Sequence, residues 1–209
     1  RWLGVPSDGR AFLDVLANVD GSAIGDLVAE TAVDGLDVIP AGAWLSGAER
    51  TLASEPGAET ILRERLDTLP DRWHSILLDL PPALGLLSLS GLTAASDALL
   101  VVDSAAMAVD GLDAVLRTVA QVQKRLNDGL TVAGVLQVRA DMRTRVARAV
   151  HERLCQRFDE LVFETVIRND VRLAEAPGHA LTPARYAPGS RGAEDYAALA
   201  AEFIEKKEL

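Results

Sequence analysis

Short apolar runs alternate with amphipathic stretches along most of this chain of 209 residues. Three of the runs (SILLDL, ALLVVD and TVAGVLQV) are nearly continuous in valine, leucine, isoleucine and alanine, without the strict alternation of a half-exposed strand. That pattern is typical of parallel strands that are covered on both faces. The runs that predict strands are Leu36–Pro40, Ser75–Leu80, Ala98–Asp103, Thr131–Val138 and Leu161–Ile167.

Helical periods lie between these runs. The clearest extends from about Met107 to Leu126 and places its valines and leucines on one stripe. Others cover about Thr60–Leu69, Thr144–Phe158 and Ser190–Lys206. Strand–helix–strand alternation predicts an α/β fold, a doubly wound and mostly parallel sheet with helices on both faces. Since no low-complexity linker or internal repeat interrupts it, we expect a single domain over residues 1–209.

The composition is that of an ordinary globular protein, with 49% hydrophobic and 25% charged residues. No apolar run reaches the ~18 residues of a membrane-spanning helix. The single cysteine, Cys155, cannot form an internal disulfide, which fits a reducing cytoplasm. A net charge of −10 argues against a chain coated with basic residues, although it leaves room for a local basic patch.

Asp79 is the first candidate for chemistry. It lies near the end of an apolar run, and ligands of open α/β sheets bind at the carboxyl ends of the strands. Pro81 and Pro82 follow and stiffen the loop. In nucleotide hydrolases such an aspartate holds a water bound to Mg²⁺. An aspartate after a strand can equally cap the next turn, and the residues alone leave both interpretations open.

A series of motifs runs in order from Gly35 to Glu205. It reads GLDVIPAGAWLSGAE, LLDLPPALGLL, DGL, KRLN, AGVL, DMRT, VFETVI, VRLAEAP and SRGAEDY. No motif is specific by itself. Together, over about four fifths of the chain, they resemble the ParA/MinD superfamily of deviant-Walker partition ATPases, and most closely the ParA-type proteins that segregate chromosomes and plasmids.

The resemblance implies a P-loop NTPase-like fold and an ATP- and Mg²⁺-dependent homodimer. This dimer would bind DNA without sequence preference at the nucleoid in the cytoplasm, and a ParB-like partner would trigger hydrolysis. Asp79 would then be catalytic and would bind Mg²⁺ through a water. Pro81, Asn169 and Asp170 would contact nucleotide, since Arg168, Asn169 and Asp170 stand where the family has Pro-Arg-Asn.

The departures from the family pattern concern the same site. The KGGxGK[ST] phosphate loop of the family is absent, because none of the three lysines (Lys124, Lys206 and Lys207) follows a glycine. Asp103 stands where a glutamine is common, and Ala106 and Met107 replace a pair of aromatic residues. The chain, which begins with Arg1, is therefore expected to be N-terminally incomplete and to hold no cofactor alone. Two interpretations stay open: a parent protein with an ordinary P-loop, or a naturally P-loop-less binding module without ATPase activity.

A basic region covers residues 139–157, where six arginines accompany only two acidic residues. Thr144 or Asp141 can cap a helix there, whose stripe would be Val146, Val150 and Leu154. This period places Arg145 and Arg148 towards solvent and Arg153 nearer the buried side. A solvated helix face is one interpretation. The family resemblance implies another, in which Arg143 and Arg172, supported by Arg145 and Arg148, bind DNA phosphates.

A membrane-associated positioning ATPase of the MinD type is a further alternative. Such relatives end in a basic amphipathic helix, whereas this chain ends in AEFIEKKEL, with few apolar residues and three glutamates. DNA is therefore the expected surface and no membrane contact is predicted. The three histidines (His74, His151 and His179) lack metal-ligand spacing, so we predict structural roles for them.

Overall fold

The computed structural model describes residues 3–6, 10–17, 21–42, 45–105 and 108–207. Arg1, Ala106 and Met107, which entered the family comparison, lie outside the described residues. The chain divides into two compact units. We call them the N-terminal unit, with residues 4–96 and 117–130, and the C-terminal unit, with Leu3 and residues 97–116 and 131–207. The predicted single domain over residues 1–209 stays a prediction.

Among the described residues, the N-terminal unit includes helices α1 to α4 and a short antiparallel hairpin of β1 and β2, which pairs Ala29 with Val38. Its core is formed by Leu16, Leu52 and Ala58, against which apolar residues of α1, α3 and α4 pack. The Asn127 side chain donates to the carbonyls of Leu92 and Ala95 at the end of α4. The element bounds are α1 Arg10–Leu16, β1 Ala29–Glu30, β2 Asp37–Val38, α2 Leu45–Leu52, α3 Ile61–Leu66 and α4 Leu86–Ala94.

The C-terminal unit is built on a parallel pair of strands, β3 and β4. Their register runs from Asp97 opposite Thr131 to Asp103 opposite Val138, which confirms both predicted strands. Three long helices agree with the predicted periods; the residues of α5 are divided between the two units. The bounds are β3 Asp97–Asp103, α5 Ala108–Arg125, β4 Thr131–Val138, α6 Arg145–Phe158, α7 Val171–Glu175, α8 Pro183–Tyr186 and α9 Arg191–Lys207.

The predicted strand Leu161–Ile167 is wrong in extent. This segment and Arg168 form isolated parallel bridges to β4 and the residues after it, Val135 to Val162 and Ala140 to Arg168, and the Ile167 amide donates to the Gln137 carbonyl at 3.0 Å. Between the bridges, the backbone amides of Glu164 and Thr165 donate to the Glu202 carboxylate of α9, at 2.8 and 2.9 Å. The Glu202 side chain thus accepts two backbone hydrogen bonds in the middle of the segment, and no continuous strand forms.

Gly134 of β4 permits the close approach of this segment. A Cβ at this position would lie 2.8 Å from the Leu161 carbonyl oxygen and 2.5 Å from the Phe163 ring. Any side chain there would push the backbone of the segment away from β4. Phe163 and Ile167 are thereby held in the core of the C-terminal unit, where Leu136 and partly buried residues of α7 and α9 contact them.

Two other predicted strands also differ from the structure. Only Asp37–Val38 of the predicted Leu36–Pro40 is a strand. The prediction for Ser75–Leu80 is wrong, because no described strand pairs with this segment. Leu77 is accordingly 88% exposed. An apolar run becomes a strand only where a neighbour accepts its backbone hydrogen bonds, and hydrophobicity alone does not supply that neighbour.

Candidate functional site

The turn that precedes α6 is held by several polar contacts. Thr144 caps the helix, since its side chain accepts from the Ala147 amide at 3.2 Å and donates to the Asp141 carbonyl at 2.8 Å. Nη1 of Arg148 donates to the carbonyls of Met142 and Arg143, both at 3.0 Å. This confirms Thr144 as the cap and Arg148 on the solvent side. These hydrogen bonds fix the backbone of the turn at both ends, and with it the position from which the Arg143 side chain extends.

Arg143 is paired with a residue of its own turn. Its Nε and Nη2 donate to the two Asp141 carboxylate oxygens, each at 2.8 Å, and its amide donates to Oδ1 at 3.1 Å. The side-chain and backbone hydrogen bonds from Arg143 lower the pKa of Asp141 to about 2. The same carboxylate raises the pKa of Arg143. The Arg143 side chain nevertheless remains 88% exposed.

Asp170 has a structural task that the sequence did not reveal. Its Oδ1 accepts a hydrogen bond from the Arg172 amide at 3.0 Å, so Asp170 caps α7. Its Oδ2 accepts from the Gly192 amide in the first turn of α9, also at 3.0 Å. The side chain is only 4% exposed. Because both oxygens are committed to backbone amides, Asp170 is poorly suited to the predicted nucleotide contact. Asn169, by contrast, is exposed.

The structure places the two segments that carry the predicted DNA-binding arginines side by side. The Asn169 amide donates to the Ala140 carbonyl at 3.0 Å, so the residues before Asp141 run beside those before Arg172. The charge of Arg191, at the start of α9, also contributes to the lowered pKa of Asp141. We call this end of the C-terminal unit the arginine surface; its members are Arg143, Arg145, Arg148, Arg172 and Arg191.

Arg191 escaped the sequence analysis. A signal was present, because Ser190 caps α9 by accepting from the Ala193 amide, and Arg191 directly follows the cap. A positive side chain at the positive end of a helix dipole is unfavourable for the helix itself. An arginine at this position is therefore expected to have an anion or a carboxylate nearby, and here Asp141 is such a carboxylate.

The basic region is narrower than the sequence suggested. Arg153 and Arg157, in the second half of α6, form ion pairs with Asp110 and Asp113 of α5. The expectation that Arg153 lies nearer the buried side is wrong, since it is exposed. The buried positions of α6 are Ala147, Val150 and Leu154, while Val146 is exposed. Two of the six arginines are thus neutralised by α5.

Asp79 and Pro81 lie in the N-terminal unit, just before α4. Ser88 of α4 is buried, and its hydroxyl lies 2.5 Å from the Ala83 carbonyl and 3.2 Å from the Pro81 carbonyl. The loop after Asp79 is therefore attached to the helix that follows. Asp79 itself is exposed, and in the described part of the chain its carboxylate has no ion pair. Such a carboxylate fits the task of holding a metal-bound water.

The ranges that the structure describes contain no metal site of the usual kind. Among those residues, no three His, Cys, Asp or Glu side chains converge on a possible metal position. None of the helices within the same ranges combines the length and the apolar character needed to cross a bilayer.

We expect Asp170 to make folding stability depend on pH at acidic values. Hydrogen bonds from the Gly192 and Arg172 amides lower its pKa below 3.8. A group with a lowered pKa contributes stability that is complete above the unfolded pKa and is lost as the pH falls through the folded value. Asp170→Ala should therefore cost about 1–2 kcal/mol at pH 6, the cost of a lost helix cap, and less at a pH well below 3.8.

Urea unfolding of both proteins at the two pH values measures the difference. Glu152→Ala, which removes an exposed carboxylate from α6, is the control for the general effect of losing one negative charge. An unchanged gap between Asp170→Ala and the wild type at low pH would contradict the prediction.

Known proteins resemble this chain in sequence. Residues 7–132 match the family model described as an AAA domain. The chain is 40% identical over 193 residues to the sporulation initiation inhibitor protein Soj of Bacillus subtilis (strain 168), covering 92% of this chain and 76% of that protein. It is 32% identical over 204 residues to the chromosome partitioning protein ParA of Myxococcus xanthus (strain DK1622), covering 98% and 72%.

Solved structures resemble it in fold. Cobyrinic acid a,c-diamide synthase from Mycobacterium smegmatis, with bound ADP and magnesium, matches with a TM-score of 0.74 at 28% identity, covering 95% of this chain and 71% of that one. The septum site-determining protein MinD from Pyrococcus horikoshii OT3, complexed with Mg-ADP, matches with a TM-score of 0.72 at 21% identity, covering 96% and 76%. These likenesses confirm the predicted α/β fold of P-loop NTPase type.

Proposed function

This chain belongs to the ParA/MinD superfamily of partition ATPases, and from that membership we propose that it binds DNA non-specifically through the arginine surface. DNA segregation is the activity that such binding serves. The nucleoid in the cytoplasm is the place where it acts, and a chromosome or a plasmid is the cargo. A ParB-like protein is the partner that releases the chain from DNA.

The adjacency of the two segments that carry Arg143, Arg148 and Arg172 carries this proposal. Arg172 is distant in sequence from Arg143 and Arg148, and the hydrogen bond between Asn169 and Ala140 brings the two segments side by side. Arg143 and Arg172 keep 88% and 53% of their side chains exposed. Arginine pairs with phosphate oxygens without reading base edges, so a surface of this composition favours binding that ignores sequence.

ATP and Mg²⁺ are the cofactors that we propose for the complete family member, which acts as a homodimer. ATP supplies phosphoryl transfer to water when it is bound with the metal. Asp79 would hold a water of Mg²⁺, and its exposed carboxylate supports that role. Pro81 in the N-terminal unit and Asn169 in the C-terminal unit are each proposed, from the family resemblance, as nucleotide contacts. The amides that occupy Asp170 favour Asn169 over Asp170 for this contact.

Fluorescence anisotropy with two unrelated duplexes of equal length tests the DNA proposal. We expect equal affinities for the two duplexes and a steep salt dependence. Each phosphate contact contributes about −0.9 to the slope of log affinity against log salt. If all five arginines contacted phosphates, the slope would be about −4.5. A preference for one duplex above tenfold, or a slope near zero, would contradict non-specific electrostatic binding.

Vesicles containing anionic lipid serve as the control surface in a cosedimentation assay. Binding to vesicles and to neither duplex would favour the positioning ATPase of the MinD type over the DNA-binding protein.

A further inference from the structure

Three exposed arginines at the carboxyl ends of β3 and β4 and at the arginine surface are paired with aspartates. Nη1 of Arg139 lies 3.4 Å from Asp103, and Nη1 of Arg172 lies 3.5 Å from Asp170. Arg143 differs from both, because two of its guanidinium nitrogens donate to two oxygens of Asp141 at 2.8 Å. Only this aspartate, among the three pairs, binds its arginine in the bidentate manner.

The bidentate pair has the geometry that arginine uses for phosphate. A guanidinium presents parallel N–H bonds to two oxygens of a carboxylate or of a phosphate, so one anion excludes the other from the same edge. The Nε–Nη2 edge of Arg143 is occupied by Asp141. With a pKa of about 2, Asp141 stays ionised at neutral pH. Arg143 thus meets DNA with one edge already filled by an internal anion.

The Asp141 carboxylate contributes little to holding the fold apart from its contacts with Arg143. Asp170, by contrast, caps α7 and accepts from an amide in the first turn of α9, so a substitution there removes both contacts. Among the residues that the structure describes, the one backbone amide that donates to the Asp141 carboxylate is that of Arg143. The turn is independently fixed by the Thr144 cap and by the two hydrogen bonds of Arg148 to carbonyls. An asparagine at position 141 retains an oxygen for the amide and removes the charge.

We propose that Asp141 is an internal competitor for DNA phosphate at Arg143 and thereby sets how tightly the arginine surface binds DNA. The inference rests on the proposed DNA binding. A phosphate that takes the Nε–Nη2 edge must displace the carboxylate, and the two like charges repel when they share the guanidinium. The family's DNA contact is therefore partly self-neutralised in this chain, and affinity is kept below what its arginines would give.

The test compares DNA binding by the wild type, Asp141→Asn, Arg143→Ala and the double variant, in the anisotropy assay with one duplex. Asp141→Asn should tighten binding by up to about eightfold at 0.1 M salt and steepen the slope by up to ~0.9, the value of one full phosphate contact. In the Arg143→Ala background the same change should have less than half this effect on log affinity. Glu152→Gln, at an exposed position of α6, is the control for net charge.

The other outcomes distinguish failure of the competitor role from failure of the proposed function. Weaker binding by Asp141→Asn, with unchanged thermal unfolding, would mean that the carboxylate orients Arg143 for DNA, and the competitor role would fail. An equal gain from Glu152→Gln would reduce the effect to net charge, which also overturns it. Equal DNA affinity of Asp141→Asn and the wild type would contradict the competitor role but would leave the proposed function intact. If no variant binds either duplex at 50 mM salt, the proposed function falls together with the inference.

Discussion

Replacing Arg143 and Arg172 together by alanine is expected to weaken DNA binding about 60-fold at 0.1 M salt. A slope of ~0.9 per phosphate contact corresponds to roughly eightfold in affinity at this concentration, and two contacts multiply. The slope of log affinity against log salt should fall by ~1.8 in the same variant. Both side chains are exposed, so we expect the thermal unfolding midpoint to stay close to that of the wild type.

The charge-matched control is the double variant Arg153→Ala and Arg157→Ala. It removes the same two positive charges from the same region, but these arginines pair with Asp110 and Asp113 of α5 instead of standing at the arginine surface. Its affinity should fall by much less than that of the first double variant. Equal losses in the two double variants would show that net charge, and not the arginine surface, governs binding.

Asp195→Ala is expected to destabilise the fold by about 2–3 kcal/mol. The Asp195 side chain is 10% exposed and accepts from the Arg168 amide at 2.8 Å and from its guanidinium at 2.7 and 3.0 Å. Removing one partner of a buried pair costs about 3–5 kcal/mol. The expected value is lower here because Arg168 is 41% exposed and water can solvate part of its charge.

Thermal unfolding measures this loss, and the midpoint should fall by roughly 4–12 °C for a chain of this size. Glu194→Ala is the control, since Glu194 is exposed and lies 3.6 Å from the same guanidinium. It should cost less than ~1 kcal/mol. Similar losses in the two variants would contradict the assignment of Asp195 as the residue that holds the segment before Arg172 against α9.

The sequence predicted the elements whose periodicity is strong. Thr131–Val138 is a strand with the predicted bounds, and β3 begins one residue earlier than predicted. The periods of α5, α6 and α9 appear as helices within one or two residues of the predicted ends. Such elements are encoded locally, because burial selects apolar residues at the spacing of the backbone that carries them.

The family and its fold class also followed from the sequence, since motif order and spacing need no coordinates. Arg143 and Arg172 were proposed as DNA contacts from the DMRT and VRL motifs. The residues that surround them in the structure were not predicted. Arg191 was missed, and Asp170 was assigned to nucleotide although its carboxylate caps α7 and binds the first turn of α9.

Only the tertiary structure decided which backbone and side-chain groups meet. The Glu202 carboxylate interrupts the predicted strand at 161–167, and Asp110 and Asp113 neutralise half of a basic helix. The partners of these groups lie from 37 to more than 40 residues away along the chain. A local pattern shows how a segment can fold, whereas ion pairs and hydrogen bonds between distant segments depend on how the chain returns on itself.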